Sequence, residues 1–134
     1  NGIKVNQKLI IIEDKNHSQP LGYEAMQKIL VSGQTVDAVF CFNDRVAQGA
    51  YQAIAEAGLR MSDDIGVVGY DNTELCKSLT PRMTSVVCKN MEMGTKAAEV
   101  LYKIINKEDL ADFHFYMLQP DIVVRESCLG LRKA

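Results

Sequence analysis

Residues 37–50 read Asp-Ala-Val-Phe-Cys-Phe-Asn-Asp-Arg-Val-Ala-Gln-Gly-Ala. The uninterrupted apolar run at 38–42 predicts a strand that is buried on both faces. Asn43 and Asp44 follow, and from Val46 onward apolar residues recur at helical spacing until Gly58. A buried strand that leads through a polar pair into a helix is the repeating unit of an α/β fold.

The same unit occurs on both sides of this stretch. Residues 8–14 predict an earlier strand, and the helical pattern after it stops at Gly33. Residues 65–70 predict a later strand, which leads into a short helix at 73–79 before Pro81. Strands that alternate with helices in this way form right-handed crossovers. The predicted fold class is therefore α/β, with an open parallel sheet and helices on both faces.

Beyond Pro81 the order of elements changes. The sequence predicts a strand at 83–88, a helix at 92–106, and two short strands at 113–118 and 122–125. The helix carries an apolar stripe made of Gly94, Ala97, Ala98, Leu101, Ile104 and Ile105. We expect this stripe to fold back, to pair with a second chain or to be exposed.

The composition of the 134 residues fits one folded domain or a fragment of one. A hydrophobic fraction of 47% argues against a disordered chain, and no apolar run has the roughly 18 residues of a membrane span. The net charge of −2 gives no basic surface for phosphates, so we do not expect this chain alone to bind nucleic acid. The first residues lack the apolar segment of a signal peptide, and we expect a piece cut from a longer protein.

The four cysteines do not form a metal or redox motif. Cys41, Cys76, Cys88 and Cys128 are too widely separated for a CxxC pattern, and three of them lie in apolar or strand-like runs. Free cysteine commonly serves as a small apolar residue in such runs. We therefore expect reduced thiols and a cytoplasmic protein.

Polar residues follow each predicted strand of the repeating unit. They are Glu13-Asp14, Asn43-Asp44-Arg45 and Asp71-Asn72. Because the carboxyl ends of parallel strands meet at one edge of a sheet, these groups should line one rim. Amides and carboxylates together suit the vicinal hydroxyls of a sugar or the polar groups of a small metabolite. The alternative is that Asp44 and Asp71 cap the helices that follow them.

Catalytic, cofactor and metal signatures are missing. Gly66-Val-Val-Gly69 lacks the third glycine of a dinucleotide loop, and His17 and His114 lie far apart in sequence. No serine or cysteine has a nucleophile-elbow pattern. The acidic pair at 63–64 is typical of a solvated loop. We expect no enzymatic activity, no cofactor and no metal.

Several ordered motifs together carry a family resemblance. Besides 37–50 they are Glu-Ala-Gly-Leu-Arg at 56–60, Asp-Ile-Gly-Val-Val-Gly-Tyr-Asp-Asn at 64–72, Leu-Thr-Pro-Arg-Met-Thr-Ser-Val at 79–86, and Leu-Gln-Pro-Asp-Ile-Val-Val-Arg-Glu-Ser at 118–127. In this order the motifs resemble the lactose/galactose repressor (LacI/GalR) family of bacterial transcription regulators. The likeness extends from about residue 9 to residue 127.

The resemblance implies the effector-binding domain of the type I periplasmic-binding-protein kind, in which two Rossmann-like lobes close on a small molecule. Residues 1–86 resemble the C-terminal lobe, incomplete at its N-terminus. Residues 87–111 resemble the strand end and helix that cross to the N-terminal lobe, and 112–134 the returning strands and C-terminal tail. DNA binding would belong to a helix-turn-helix headpiece outside this chain.

The function implied is effector sensing and dimerisation in a sugar-responsive regulator, with no membrane association. The alternative is the periplasmic sugar-binding component of a transporter, which shares the fold. The motifs at 80–86 and 123–127 favour the regulator. A sugar-modifying enzyme would need a nucleophile or an acid–base pair, which the sequence lacks.

Individual residues take their expected roles from the motif positions. Asn43 and Asp71 match effector contacts of the family. His17 lies near a position where relatives carry an aromatic ring against the ligand, and Cys88 and Asn90 lie in the crossing segment that faces the cleft. The homodimer interface implied by the resemblance uses Val46, Gln48, Tyr51 and Leu79. Since part of the pocket lies outside the chain, we expect this chain alone to bind its effector weakly or not at all.

Overall fold

The computed structural model describes residues 2, 4–12, 17–108 and 117–130. The strands are β1 (Ala38–Phe40), β2 (Gly66–Tyr70), β3 (Thr84–Val87) and β4 (Asp121–Val123). The helices are α1 (Gln19–Val31), α2 (Asp44–Glu56), α3 (Leu75–Ser78) and α4 (Asn90–Ile105). Single turns of 3-10 helix lie at Gln7–Leu9 and Glu126–Cys128.

The strands form one open sheet in the order β1-β2-β3-β4. The first three are parallel, with Phe40 opposite Val68 and Gly69 opposite Ser85. β4 runs antiparallel to β3, with Ile122 opposite Val86. The α/β prediction is confirmed, and the antiparallel β4 makes the sheet mixed.

The core lies between α1, α2 and one face of the sheet. Ala47, Ala50 and Ile54 of α2 are buried, together with Val67 of β2 and Met26 of α1. Burial of this apolar surface is the main stabilising contribution, at roughly 25 cal/mol per Å². α2 is thus the helix that joins the sheet to α1.

Two glycines allow α1 and α2 to approach each other closely. A Cβ atom on Gly22 would lie 1.9 Å from the Val46 carbonyl oxygen, and one on Gly49 would lie 2.0 Å from the Gln19 carbonyl oxygen. Both distances are far below van der Waals contact, and in both cases the obstacle is backbone. Only glycine therefore fits where these helices cross.

The strand predicted at 8–14 is wrong for the described residues 8–12. Gln7–Leu9 forms a 3-10 turn whose N-cap Asn6 accepts a hydrogen bond from the Lys8 N–H, and residues 10–12 belong to no strand. Ile12 is 81% exposed. A strand needs a neighbour for its backbone groups, and in the described part of the chain none pairs with this segment. Glu13 and Asp14 lie outside the described residues.

The elements predicted beyond Pro81 are mostly confirmed. β3 and α4 correspond to the predictions at 83–88 and 92–106, and β4 to the one at 122–125. Of the strand predicted at 113–118, Met117 and Leu118 are not in a strand, and 113–116 lie outside the described residues.

The apolar stripe of α4 is exposed, one of the three arrangements expected for it. No α4 residue is buried, and Leu101 and Ile105 are largely accessible. Part of the stripe lines an apolar cavity of about 660 Å³ together with Met117 and Leu118. The surface offered by α4 is therefore available for contact with another part of the full protein.

Candidate functional site

The carboxyl ends of β1 and β2 meet at a polar rim. A cavity of about 720 Å³ opens there between the start of α1, the start of α2 and the segment after β2. Its lining includes Ser18, Gln19, Asn43, Arg45, Asp71 and Thr73. The structure thus brings together two of the predicted polar groups, Asn43 and Asp71, at the edge where open α/β sheets bind ligands.

Asn43 is the N-cap of α2. Its Oδ1 accepts a hydrogen bond of 2.8 Å from the Val46 N–H, and its Nδ2 donates to the His17 carbonyl oxygen over 3.4 Å. The alternative that Asp44 caps α2 is therefore wrong, because Asn43 is the N-cap of this helix. Asn43 also holds the start of α1 against the start of α2.

Asp44 is 1% exposed and lies in the first turn of α2. Its Oδ2 accepts hydrogen bonds from the Thr73 N–H at 2.7 Å and the Thr73 hydroxyl at 2.9 Å. Its Oδ1 accepts one from the Ser85 hydroxyl at 2.7 Å. These three donors satisfy the hydrogen-bonding capacity that this buried carboxylate would otherwise leave unused. Asp44 thus ties the segment after β2 to α2, and it presents no free oxygen to a ligand.

Asp71 has the opposite character. Its backbone N–H donates to the Val86 carbonyl oxygen at 2.9 Å, but no donor among the described residues bonds to its exposed carboxylate. Its φ of 104° is a left-handed conformation that costs energy for a residue with a Cβ atom. Asp71 caps no helix, because the N-cap of α3 is Glu74. A strained residue with an unused carboxylate at a sheet edge is typical of a ligand contact.

The surroundings of Asp71 also raise the pKa of its carboxyl group. Partial desolvation is the larger cause, and the negative charge of Asp44 adds to it. The folded protein therefore binds this proton more tightly than the unfolded chain does. The contribution of Asp71 to the free energy of unfolding consequently falls as pH rises through its raised pKa.

We expect Asp71→Asn to increase the free energy of unfolding at neutral pH and to remove the decline that ionisation of Asp71 causes as pH rises above the ordinary pKa of an aspartate. The physical reason is that asparagine cannot ionise beside Asp44. Urea denaturation followed by circular dichroism at several pH values measures the effect. The control Asp63→Asn removes an exposed carboxylate paired with Arg60 and should leave the decline in place. An unchanged profile for Asp71→Asn would contradict the prediction.

His17 lies beside the rim and stacks on an aromatic ring. Its imidazole centroid is 4.3 Å from that of Phe42, with 30° between the planes. Both side chains are exposed, and both border an apolar cavity of about 470 Å³ that extends under α1. Two exposed rings this close together give an aromatic surface on which an apolar face of a ligand can rest.

Cys88 and Asn90 lie on the other side of Tyr70 and line the 660 Å³ cavity next to α4. The Cys88 thiol raises the pKa of the Tyr70 hydroxyl through a hydrogen bond. The five residues predicted to contact a ligand thus divide into Asn43 and Asp71 at the rim, His17 beside it, and Cys88 with Asn90 beyond Tyr70.

The residues predicted to form the dimer interface differ in accessibility. Gln48 and Leu79 are half-buried, and Val46 is half-buried and packs against the core. Tyr51 is buried, and its hydroxyl donates to the Pro81 carbonyl oxygen at 3.1 Å. Burial also raises its pKa to about 12. Tyr51 therefore belongs to the core of its own chain and offers no surface to a partner.

The cysteines are free thiols in this structure. Cys41 and Cys76 are buried, and burial raises their pKa to about 12 and about 11 respectively. Within residues 2, 4–12, 17–108 and 117–130, no cluster of histidine, cysteine or acidic side chains could hold a metal ion. No helix in those same ranges is long and apolar enough to cross a membrane.

Comparison with known proteins places this fold and its rim in a family. Residues 4–128 match the model of the periplasmic binding protein-like domain. The chain belongs to this family. The match covers nearly the whole sequence, including every element from α1 to β4.

Curated relatives of this periplasmic binding protein-like domain include transcriptional repressors. It is 39% identical over 106 residues to the HTH-type transcriptional repressor PurR of Histophilus somni, which covers 79% of this chain and 32% of that protein. It is 36% identical to the ribose operon repressor of Haemophilus influenzae, over 83% of this chain and 33% of that one. The chain thus spans about a third of the length of the curated relatives it matches.

Solved structures agree with the sequence relatives. The complex of the transcriptional regulator CelR with cellobiose superposes with a TM-score of 0.81 at 29% identity, over 94% of this chain and 38% of that one. A lac repressor dimer bound to operator and an anti-inducer gives 0.77 at 30% identity, over 84% and 38%. The resemblance to the LacI/GalR family is therefore confirmed: this is a fragment of such an effector-binding domain.

Proposed function

We propose that this chain is the effector-sensing and dimerisation part of a cytoplasmic transcription regulator. A small metabolite binds between two lobes and controls DNA binding by a helix-turn-helix headpiece elsewhere in the full protein. The observation that carries the proposal is the carboxylate of Asp71 at the rim of the sheet, beside Asn43, which accepts no hydrogen bond from any residue that the structure describes. The repressor relatives support it.

The effector class that fits this rim is a sugar or a related polyhydroxy metabolite. A carboxylate such as that of Asp71 accepts hydrogen bonds from two neighbouring hydroxyls. The stacked rings of His17 and Phe42 provide an apolar surface for the C–H face of a sugar ring. Cellobiose in the CelR complex is a ligand of this chemistry.

Regulation on this proposal is a shift between two states and makes no bond. The effector binds the closed arrangement of the lobes more tightly, so that its binding free energy moves the population toward that arrangement. The repressor relatives support such a non-enzymatic role. They also favour a regulator over a periplasmic transport component, because repressors act on DNA.

On this proposal the chain is divided between the two lobes as the resemblance implies. Residues 1–86 belong to the C-terminal lobe, 87–111 cross to the other lobe, and 112–134 return. The end of β3 at Val87 and the start of α4 at Asn90 support a crossing point between them. Gln48 and Leu79, together with Val46, form the proposed dimer contact, and Tyr51 supports it only from within the core.

Ligand binding can be tested in the full-length protein. We expect one member of a panel of pentoses, hexoses and disaccharides, including ribose and cellobiose, to raise the melting temperature. Asp71→Asn should weaken binding of that sugar by about 100-fold, because a carboxylate that pairs with ligand hydroxyls contributes about 3 kcal/mol. Asp63→Asn, the matched control, should bind it normally. Equal binding by wild type and Asp71→Asn would contradict the assigned role.

The gene upstream of the Asn1 codon tests the regulator itself. A helix-turn-helix segment of about 60 residues followed by the second lobe is the expected result. A secretory signal in that place would overturn the regulator proposal, and with it the expected DNA binding, in favour of the transport component.

A further inference from the structure

The segment 71–73 after β2 is held by a hydrogen bond at each of its three backbone N–H groups. The Asp71 N–H donates to the Val86 carbonyl oxygen, the Asn72 N–H to the Ser85 hydroxyl at 3.1 Å, and the Thr73 N–H to Asp44. The Asp71 carboxylate, in contrast, accepts no hydrogen bond from any described residue. Such a pattern fixes a backbone in order to present one side chain.

The conformation being held is costly. Asp71 and Asn72 are consecutive residues with positive φ, at 104° and 50°. Non-glycine residues seldom adopt such angles, because the Cβ atom then crowds the backbone. Two in succession persist only where surrounding contacts over-determine them. The contacts that do so identify the residues on which the direction of the Asp71 side chain depends.

One of those contacts comes from a distant part of the sequence. The Arg125 Nη2 donates to the Asn72 Oδ1 at 2.7 Å, and its Nη1 donates to the Met83 carbonyl oxygen at 2.7 Å. The backbone N–H and carbonyl oxygen of Arg125 are both bonded to the Thr84 hydroxyl. One nitrogen of the guanidinium is therefore bonded to the residue before β3, and the other is bonded to the Asn72 side chain.

We infer that Arg125 is a positioning residue for the effector site: by holding Asn72 it fixes the backbone on which Asp71 presents its carboxylate. The inference rests on the proposed role of Asp71 as an effector contact. Arg125 follows β4 by two residues. It therefore makes the geometry of the rim depend on where the returning strand lies against β3, so that a shift of β4 would alter effector affinity.

The experiment compares two arginines on the same edge of the fold. Arg125→Gln removes the guanidinium that donates to Asn72. Asn72→Gly removes the Oδ1 acceptor, and glycine tolerates the left-handed backbone at this position. Arg82→Gln is the control, because the guanidinium of Arg82 pairs with Glu126 rather than with the segment 71–73. Arg125→Lys keeps the charge but cannot reproduce the paired geometry of the two guanidinium nitrogens. Its exchange rate and affinity should therefore lie between those of the wild type and of Arg125→Gln.

The first readout is hydrogen–deuterium exchange in the full-length protein. In Arg125→Gln and Asn72→Gly, we expect peptides covering 71–75 to exchange about tenfold faster, while peptides from the core of α2 change less than about twofold. A general loss of stability would accelerate both regions. Unchanged exchange at 71–75 in both variants would overturn the inference.

The second readout is affinity for the sugar that raises the melting temperature in the panel. Arg125→Gln should weaken its Kd about tenfold, Arg82→Gln less than about twofold, and the double variant Arg125→Gln/Asn72→Gly no more than either single one, because both break one contact. Faster exchange with unchanged affinity would overturn the positioning role. If instead Asp71→Asn leaves affinity unchanged, the failure lies in the proposed effector contact.

Discussion

Replacing Gly49 by alanine is expected to lower the free energy of unfolding by about 3 kcal/mol. A Cβ atom there would lie 2.0 Å from the Gln19 carbonyl oxygen and 2.5 Å from the Tyr23 backbone nitrogen. Neither atom can turn aside as a side chain would, so α1 must move away from α2. That movement opens the core around Met26 and Ile54, and the poorer packing of these side chains adds to the strain. Urea denaturation followed by far-UV circular dichroism measures the change.

Gly94 provides the matched control for this substitution. It also lies within a helix, α4, but a Cβ atom built on it meets nothing within 4 Å. Gly94→Ala should therefore leave stability unchanged or raise it by up to about 1 kcal/mol, as expected from helix propensity alone. A loss of stability below about 1 kcal/mol for Gly49→Ala would contradict the prediction, because it would mean that α1 moves away from α2 at little cost in free energy.

The second large effect is expected at Asp44. Asp44→Asn keeps the size of the side chain but turns one acceptor oxygen into an NH₂ donor. That amide must then face either the Thr73 N–H and hydroxyl or the Ser85 hydroxyl. We expect the free energy of unfolding to fall by about 3 kcal/mol, because the hydrogen bonds from Thr73 and Ser85 lose their charged acceptor and one of these partners must rearrange to meet an NH₂ group.

The consequence of Asp44→Asn should also be visible at the rim, because the Thr73 N–H loses its charged acceptor. Hydrogen exchange at 71–75 should accelerate by more than global unfolding explains. Asp63→Asn changes an aspartate with a half-exposed side chain in a surface ion pair and should alter stability by less than about 0.5 kcal/mol. Equal stability of the two variants would contradict the structural role assigned to Asp44.

The sequence predicts those elements whose signals are local. The apolar run at 38–42, the asparagine after it and the helical spacing up to Gly58 lie within about twenty residues, and they correctly predict β1 and α2. The prediction of a strand at 8–14 is wrong for residues 8–12, the part of it that the structure describes. An apolar run records a preference for burial, whereas a strand also requires a neighbouring backbone.

The candidate site is only partly visible in the sequence for the same reason. Asn43 and Asp71 were predicted because each follows its own strand directly. Ser85 and Arg125, which hold the segment after β2, are separated from Asn72 by 13 and 53 positions, and no periodicity connects them. The burial of Tyr51 could not be predicted, because the position of a side chain along a helix does not reveal whether it faces the core or a partner.

The crossing of α1 and α2 at Gly22 and Gly49 has a mechanical consequence. Gly22 lies three residues from the start of α1 and nine from its end. Since a helix rises about 1.5 Å per residue, the crossing divides α1 into a short arm at the rim and a long arm of about three times that length. Gly22 is thus the point about which a tilt of α1 against α2 would turn. A rotation of α1 about Gly22 would therefore move Val31 about three times as far as Gln19.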